Sequence, residues 1–271
     1  MLIRIVSGAV LTAIAFGTIF VGDWVLALTV CLVGLTGFYE LSKATGVHEK
    51  GKKINLLELA GYAGIIGYYC AMYFTGETSM MMMSVIVTLT LIMMMYVFTF
   101  PKYSAEQMMS LGFSILYCPI MLSYMFLIRE LPHGIYLIWL VFVCSWISDT
   151  FAYLVGVSIG KHKYLPKLSP KKSIEGSLGG IAGSALVAAG YGYFCLQKII
   201  DTPNLIWILV IMGVVGSVIS QIGDLAASAI KRNHEIKDYG RIIPGHGGVM
   251  DRFDSVIFTA PIIYYLCYYL L

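Results

Sequence analysis

The chain has 271 residues, of which 59% are hydrophobic and only 12% are charged, and its formal net charge is +3. A soluble domain carries roughly 25% charged residues, so this composition excludes an ordinary soluble globular protein. Apolar runs that are long enough to cross the hydrocarbon core of a bilayer recur along the whole chain, which indicates an integral membrane protein.

Nine apolar segments account for most of the chain. Alternation of polar and apolar residues is missing from them, so they are predicted to be helices and not the strands of a barrel. We predict an all-α polytopic membrane protein of about nine transmembrane helices, five in an N-terminal domain (1–130) and four in a C-terminal domain (131–271). The predicted spans are 5–21, 24–39, 54–74, 80–100, 108–128, 135–158, 178–197, 204–230 and 253–271.

The positive charges fall on one side of this arrangement. If the N-terminus is cytosolic, 16 of the 18 Lys and Arg residues lie in cytosolic segments, and only Arg129 and Lys198 lie outside. This bias follows the positive-inside rule and predicts that the C-terminus lies outside. Most of the positive charge is in two loops, 159–176 and 231–252, which we assign to the cytosolic side.

Two carboxylates fall inside predicted spans: Asp149 in the sixth and Asp224 in the eighth. An ionised side chain in a bilayer costs about 2.5–3.5 kcal/mol on insertion scales, so such residues usually face a wet cavity or the bundle interior and have a function. Asp224 lies seven residues before Lys231, which is roughly 10 Å along a helix. We therefore expect it, like Asp149, on the cytosolic side of the bilayer.

Polar residues recur around both carboxylates at helical spacing, so each span is predicted to have one polar face. The eighth span carries Ser217, Gln221, Asp224, Ser228 and Lys231, and the sixth carries Ser145, Asp149 and Tyr153. A polar seam that holds helices together is an equally good interpretation for the serines and Gln221. For the two aspartates we favour a functional role.

The loop before the last span contains KDYGRIIPGHGGVMDRFDS, residues 237–255. Its glycines around His246 can turn sharply and present backbone N–H groups to an anion, although no Walker A pattern occurs in the chain. Nearby Lys and Arg side chains can neutralise phosphates, and Asp251 and Asp254 can hold a divalent cation. Capping of the ninth helix is the alternative for both aspartates. For His246, phosphate binding is favoured over general acid–base catalysis.

The other basic loop ends in LSPKKSIEG, residues 168–176. Lys171, Lys172 and Ser173 stand at the entrance to a predicted helix, followed by Glu175, and form a second candidate anion site. Two basic loops and two acidic helix faces on one side of the membrane predict an active site for a polyphosphate with Mg²⁺.

The segment from Ser228 to Ser255 resembles the signature of the phosphatidate cytidylyltransferases, also called CDP-diacylglycerol synthases. SDTFAYLVG and LSPKKSIEG resemble other recurring segments of that family, so the likeness covers about residues 145–257. The signature positions matched here are Ser228, Lys231, Arg232, Lys237, Asp238, His246, Gly247, Gly248, Asp251, Arg252 and Asp254.

The resemblance implies that CTP and phosphatidate react to give CDP-diacylglycerol and pyrophosphate. It implies Mg²⁺ as cofactor and allows a second cation, monovalent such as K⁺. It also implies a homodimer in contact with membrane lipids, and we expect no nucleic-acid partner. A short chain without a polar extension favours the plasma membrane of a prokaryote, with the active site on the cytosolic side.

The resemblance and the charge pattern together give the candidate residues their predicted roles. Asp224 and Asp251 match the family's metal-binding acids, and Asp149 is expected to orient a basic residue or to line the cavity that admits the lipid phosphate. The predicted catalytic residues are Asp224, Asp251, Lys231, Arg232, His246 and Asp149. The predicted substrate-binding residues are Lys171, Lys172, Ser173, Glu175, Ser228, Lys237, Asp238, Gly247, Gly248, Arg252 and Asp254.

Two other functions fit parts of the pattern. One is a CTP-dependent enzyme that acts on another lipid, such as an ether-lipid cytidylyltransferase or a polyprenol kinase. The other is an ion-coupled transporter with Asp149 and Asp224 as ligands of the coupling ion. Transporters often show internal repeats and polar groups at the midplane of the membrane. This chain has no convincing repeat and its polar cluster lies off-centre, so the transporter is the weaker alternative.

Overall fold

The computed structural model describes residues 2–48, 53–243, 245 and 247–271, with the side chains of residues 2–6 and 11 outside the description. Within this part of the chain the structure is helical, and β pairing is limited to two isolated bridges, Lys163 with Ser173 and Ile243 with Gly247. The long helices are α1 (Leu2–Val21), α2 (Asp23–Ala44), α3 (Leu56–Thr75), α4 (Thr78–Phe98), α5 (Ala105–Glu130), α6 (Gly134–Ile159), α7 (Ile174–Phe194), α8 (Leu205–Asn233) and α9 (Met250–Leu270).

Each predicted span overlaps one of these helices, which confirms the all-α fold. Among the described residues, seven helices are long and apolar enough to cross a membrane, namely all except α1 and α3. A multi-pass membrane protein follows from these lengths and compositions. The number of nine spans and the orientation of the termini stay predictions.

Local sequence signals set several helix ends. Asn55 and Glu58 form a reciprocal capping box at the start of α3, and Ser104 and Gln107 form another at the start of α5. Each box satisfies two backbone N–H groups that have no partner inside the helix. Gly76 ends α3 with a left-handed backbone (φ 65°), which glycine adopts at little cost.

Two helices contain a wide π-helical turn. In α5 this turn spans Leu116–Ile120 and includes Pro119, and in α6 it spans Val143–Ile147. The Tyr69 hydroxyl donates to the carbonyl of Pro119 (2.8 Å), and the Ser184 hydroxyl donates to the carbonyl of Val143 (3.2 Å). A π turn inserts one extra residue into a helix, so it changes the direction in which the following side chains point.

The chain divides into two compact units. The first unit consists of Met1–Ser123 and His234–Arg252, and the second of Tyr124–Asn233 and Phe253–Leu271. The division predicted from the sequence grouped the loop 231–252 with the C-terminal helices. Most of that loop lies in the first unit, where its backbone donates hydrogen bonds to Glu40 on α2.

Small residues bring α6, α7 and α8 close together in the second unit. A Cβ atom on Gly176 would lie 2.7 Å from the carbonyl oxygen of Ala152, and one on Gly213 would lie 2.9 Å from that of Ser184. Helices in a membrane associate through such close backbone contacts, because lipid tails are as apolar as the side chains they would replace. This packing places the start of α7 beside α6 and α8.

Candidate active site

A cleft of about 160 Å³ opens in the second unit where α6, α7 and α8 meet. Pockets that bury a whole small molecule usually have roughly 300–1,000 Å³, so this cleft has the size for a phosphoryl group and not for an entire nucleotide. Its lining residues are Asp149, Ala152, Tyr153, Lys171, Lys172, Ser173, Gly176, Ser177 and Gln221. It therefore gathers four of the predicted site residues, Asp149, Lys171, Lys172 and Ser173.

Lys172, which lines this cleft, forms an ion pair with Asp224. The distance from Lys172 Nζ to Asp224 Oδ2 is 2.6 Å, and the two side chains are 22% and 32% exposed. A lysine ammonium group has three N–H donors, so Lys172 can donate to a phosphate oxygen while it remains paired with Asp224.

Two further carboxylates surround this ion pair. Asp149 interacts electrostatically with Asp224 and Lys172, and Asp254 interacts with Asp224, Lys231 and Asp149. The backbones of α8 and α9 approach closely here, since a Cβ atom on Gly223 would lie 2.8 Å from the carbonyl oxygen of Asp254. Three acids thus interact with one another, and one or two carboxylates are what a Mg²⁺ ion usually takes from a protein.

No three His, Cys, Asp or Glu side chains of the described residues lie close enough to hold a metal ion by themselves. Mg²⁺ is usually bound by one or two carboxylates, with water and substrate phosphates completing its octahedron. The carboxylates around Asp224 fit that pattern. A Mg²⁺ ion at Asp224 would depend on the nucleotide for part of its coordination.

The polar stripe predicted on α8 faces α6 and α7. Ser217 Oγ lies 2.7 Å from Ser148 Oγ, and Gln221 Nε2 donates to the carbonyl of Ser177 (3.1 Å). These contacts confirm that the stripe is one face. They support the interpretation of Ser217 and Gln221 as a seam between helices, with Asp224 further along the same face.

The face predicted on the sixth span is wrong at Ser145. This residue is fully buried and its hydroxyl donates to the carbonyl of Val141 (2.8 Å), whereas Asp149 is exposed at the cleft. The π turn Val143–Ile147 includes Ser145 and widens the helix there, so residues four positions apart no longer lie on the same face. Asp149 and Tyr153, which follow the turn, do share the cleft.

The loop between α6 and α7 is held together by Glu175. This carboxylate accepts hydrogen bonds from the backbone N–H groups of Lys161 and His162, both at 3.2 Å, and is paired with the ring of His162. Lys163 Nζ donates to the carbonyl of Lys171 (2.9 Å). Contact of Glu175 with substrate stays a prediction, and the structure shows it shaping the loop that presents Lys171 and Lys172.

Ser173 supports the same loop from the start of α7. Its hydroxyl accepts a hydrogen bond from the N–H group of Gly176 (3.2 Å), and the residue is 2% exposed. An N-cap of this kind satisfies a backbone donor that the helix leaves unpaired. Ser173 therefore fixes the backbone that carries Lys172, and its hydroxyl is already engaged.

The glycine loop in the first unit is held by two carboxylates. Asp251 Oδ2 accepts from the N–H groups of Tyr239 (2.8 Å) and Gly248 (3.0 Å). Glu40, on α2, accepts from Val249 (3.0 Å) and Met250 (2.9 Å). The backbone donors of residues 248–250 thus have protein acceptors, and a phosphate bound by this loop would have to use other groups.

The contacts of the two aspartates of α9 differ from those of a helix cap. Asp251 accepts a hydrogen bond from Gly248, which precedes the helix that begins at Met250, so this contact belongs to the loop and does not make Asp251 an N-cap. Asp254 Oδ1 accepts from the N–H group of Ser255 (2.8 Å), its own neighbour, and Asp254 interacts with Asp224 in the second unit.

The remaining predicted site residues lie at the surface or at the helix end. Ser228 and Lys231, at the end of α8, are partly buried. Gly247 has a left-handed backbone (φ 88°), which favours glycine. His246 lies outside the described residues. The exposed side chains are those of Arg232, Lys237, Asp238 and Arg252.

Comparison with known proteins bears directly on this site. The sequence model of the cytidylyltransferase family matches residues 2–270. The chain belongs to the cytidylyltransferase family. The match extends over α1 to α9, and so beyond the C-terminal half to which the sequence resemblance was limited.

Relatives of this cytidylyltransferase include the phosphatidate cytidylyltransferase of Bacillus subtilis (strain 168), which is 29% identical over 270 residues, or 97% of this chain and 96% of the relative. The phosphatidate cytidylyltransferases of Staphylococcus epidermidis (strain ATCC 12228 / FDA PCI 1200) and Staphylococcus aureus (strain COL) are 41% identical over 142 residues. Those matches cover 52% of this chain and 53% of each relative, so the chain spans about half the length of the Staphylococcus proteins in these alignments.

Glu40 was not predicted from the sequence. The residue lies in α2 at 1% exposure, immediately after the second predicted span. A carboxylate at the end of an apolar span is a candidate functional residue for the same reason as Asp149 and Asp224. The partners of Glu40 are more than two hundred residues away in the chain, so they could not be identified from sequence spacing.

Proposed function

We propose that the chain is a phosphatidate cytidylyltransferase that converts CTP and phosphatidate into CDP-diacylglycerol and pyrophosphate. The observation that carries the proposal is that Lys172, which lines a cleft of phosphoryl size, is paired with Asp224. A site for phosphoryl chemistry needs a cation for the phosphate and a carboxylate for the metal, and this pair supplies both. The match along 96% of the Bacillus subtilis enzyme supports the choice of reaction.

The reaction requires little covalent chemistry from the protein. A phosphate monoester is already largely anionic at neutral pH, so an oxygen of phosphatidate can attack without a dedicated base. A bond forms between this oxygen and the α-phosphorus of CTP, and the bond from the α-phosphorus to the bridging oxygen breaks. Pyrophosphate leaves with the electron pair. Catalysis then consists of positioning two polyanions and stabilising the developing charge.

The basic residues of the second unit are suited to this task. Lys171 and Lys172 line the cleft, and Lys172 has N–H groups that can donate to a phosphate oxygen. Lys231 interacts with Asp254 near the same carboxylates. Together they would offset the negative charge of the nucleotide and of the departing pyrophosphate, while Asp149 keeps Lys172 oriented towards the cleft.

Mg²⁺ is proposed as the cofactor, with a second, monovalent cation such as K⁺ as a further component. Asp224 in the second unit and Asp251 in the first are each proposed as ligands on the family signature. Asp224 fits because its surroundings carry excess negative charge, and Asp251 fits because two N–H donors fix its carboxylate. When bound, Mg²⁺ would neutralise phosphate charge and orient the leaving group.

A location in the plasma membrane of a prokaryote, with the basic loops in the cytosol, belongs to the same proposal. It is supported by the distribution of 16 of the 18 Lys and Arg residues on one side of the predicted topology. CTP is available on that side. A homodimer surrounded by membrane lipids is proposed on the family resemblance.

The deciding experiment uses purified protein in detergent with radiolabelled CTP, phosphatidate and Mg²⁺. We expect labelled CDP-diacylglycerol and an equal amount of pyrophosphate, with no product when ATP replaces CTP. Parallel reactions with an ether-lipid phosphate and with a polyprenol would identify the alternative enzymes by their products. Failure to form CDP-diacylglycerol across a range of acyl chains would contradict the proposal.

A further inference from the structure

Glu40 connects α2 to the N-terminal end of α9. Oε1 of Glu40 accepts a hydrogen bond from the N–H group of Val249 (3.0 Å), and Oε2 accepts one from the N–H group of Met250 (2.9 Å). The side chain is 1% exposed. A bidentate contact of this kind holds the first turn of a helix against a residue that is 209 positions away in the sequence.

A carboxylate is the side chain that this contact requires. The first N–H groups of a helix have no acceptor inside it, and burying them unpaired costs about 1–3 kcal/mol each. Glu40 offers two acceptor oxygens, one for each donor. A glutamine of the same shape has one oxygen and one NH₂ group, so it can satisfy only one donor and would place its NH₂ against the other.

The glycines of the loop provide the space for Glu40. A Cβ atom on Gly248 would lie 2.5 Å from both carboxylate oxygens of Glu40, and a Cβ atom on Gly240 would also collide with Oε1. Two loop glycines thus allow the close approach of a protein carboxylate. Their presence at these positions does not require a bound phosphate.

The end of α2 that carries Glu40 is itself fixed. The N–H group of His48 donates to the carbonyl of Ser42 (3.0 Å), and its ring lies 2.9 Å from Oε1 of Glu58 on α3. Asn55 donates to the carbonyl of Val47 (2.9 Å). Glu40 therefore projects from a helix end that hydrogen bonds hold to the next helix.

We propose that Glu40 is a positioning residue that fixes Asp251 for metal binding. The two carboxylates accept hydrogen bonds from consecutive backbone N–H groups: Asp251 from that of Gly248, and Glu40 from those of Val249 and Met250. Glu40 thereby fixes the backbone next to Asp251. Both oxygens of Glu40 accept hydrogen bonds from the backbone, so Glu40 acts through Asp251. The inference rests on the proposed function only in assigning Mg²⁺ to Asp251.

Hydrogen exchange tests the contact without any turnover. In Glu40→Gln we expect faster amide exchange in peptides that contain residues 248–250, because one of the two donors loses its acceptor. Glu106→Gln is the control, since Glu106 is an exposed glutamate at the start of α5 in the same unit. It should leave exchange at 248–250 unchanged.

Metal binding tests the positioning role. We expect Glu40→Gln to weaken Mn²⁺ binding, followed by the electron paramagnetic resonance signal of free Mn²⁺, by about 10–100-fold, as is typical when a residue that supports a metal ligand is removed. Glu40→Asp keeps the charge but is one methylene too short to reach both donors, so it should also bind Mn²⁺ weakly. If Glu40→Gln does not fold, the Mn²⁺ affinity of Glu40→Asp is the measurement that tests the proposal.

Several results would overturn the inference. Normal Mn²⁺ affinity in Glu40→Gln, equal losses in Glu40→Gln and Glu106→Gln, or full recovery in Glu40→Asp would each exclude a specific positioning role. Absence of Mn²⁺ binding by the wild-type protein would do so as well. If the wild type binds Mn²⁺ and Glu40→Gln weakens it but no CDP-diacylglycerol is formed, the proposed function fails while the role of Glu40 stands.

Discussion

In the first unit, the carboxylates of Glu40 and Asp251 accept hydrogen bonds from backbone N–H groups, whereas in the second unit Asp224 faces the ammonium group of Lys172. Backbone donors are fixed in space, so acids bonded to them hold the loop in one shape. An ammonium group on a flexible side chain can move when a phosphate or a metal ion arrives. Acidic side chains thus hold a loop in one shape in the first unit, and in the second an acidic side chain balances a positive charge that can move.

This difference shows that the hydrogen-bond partners of each charged group must be known before the group is assigned to substrate binding or to structural support. The N–H groups of residues 248–250 have protein acceptors, although the sequence suggested a phosphate cradle there. The ammonium group of Lys172, by contrast, is paired with a side chain, the carboxylate of Asp224 (2.6 Å). The second unit therefore holds the more exchangeable charges.

The largest effect is expected from Asp224→Asn, which removes the carboxylate at the centre of the exchangeable site. Loss of the proposed metal ligand and of the partner of Lys172 should lower kcat by about 10²-fold or more. The assay is formation of CDP-diacylglycerol from labelled CTP. Asp201→Asn, at an exposed acid of the same unit, should keep normal activity. Equal activity of the two variants would break the contrast between the units.

Lys172→Gln should come second in the size of its effect. A hydrogen bond to a charged group contributes about 1.5–3 kcal/mol, which corresponds to a loss of roughly 10–100-fold in kcat/KM for CTP. The control is Lys167→Gln, at an exposed lysine of the same loop. Steady-state kinetics with varied CTP concentration measures both variants. Similar losses in the two would show that the net charge of the loop matters and that the ion pair does not.

Gly240→Ala tests the rigid site. The new Cβ atom would collide with Oε1 of Glu40, which is held by hydrogen bonds and cannot move without losing them. We expect a loss of about 1–3 kcal/mol in the free energy of unfolding in detergent. Gly67→Ala is the control, because no atom lies within 4 Å of its Cβ position. In a helix that change should be neutral or stabilising. Unchanged stability in Gly240→Ala would show that the loop is not tightly held.

The smallest effect is expected from Ser173→Ala, which removes the N-cap of α7. Loss of such a cap costs about 1 kcal/mol, and this corresponds to a decrease of roughly 2–4 °C in Tm. Ser104→Ala removes the N-cap of α5 in the first unit and should lower Tm by a similar amount. Only Ser173→Ala should also raise KM for CTP, because it loosens the backbone beside Lys172. A normal KM would limit Ser173 to a structural role.

The helices and one face of the site could be predicted from the sequence. Helix positions followed from the length of the apolar runs, and the stripe that contains Gln221 and Asp224 followed from regular helical spacing. Both signals are local, because they depend only on the number of residues per turn and on the thickness of a bilayer. The pairing of Lys172 with Asp224 required knowledge of which helices are neighbours.

Glu40 and Ser145 show why the rest could not be predicted. The contact of Glu40 with Val249 joins residues that are 209 positions apart, and no periodicity in the sequence encodes it. Ser145 was misplaced because a π turn changes the number of residues per turn, and nothing in VCSWI marks such a turn. Glu175 has a loop-forming role that depends on how the segment before it folds back.

The π turn in α6 also constrains how the length of this helix can change. A π turn accommodates its extra residue by winding less per residue than an α-helix, so removal of one residue from Val143–Ile147 would restore ordinary winding with little rotation of the residues that follow. Asp149 and Tyr153 would then still face the cleft. A deletion between Asp149 and Tyr153, in regular α-helix, would instead rotate Tyr153 by about 100° relative to Asp149. The turn is thus the stretch of α6 where the chain can lose one residue without redirecting the side chains of the site.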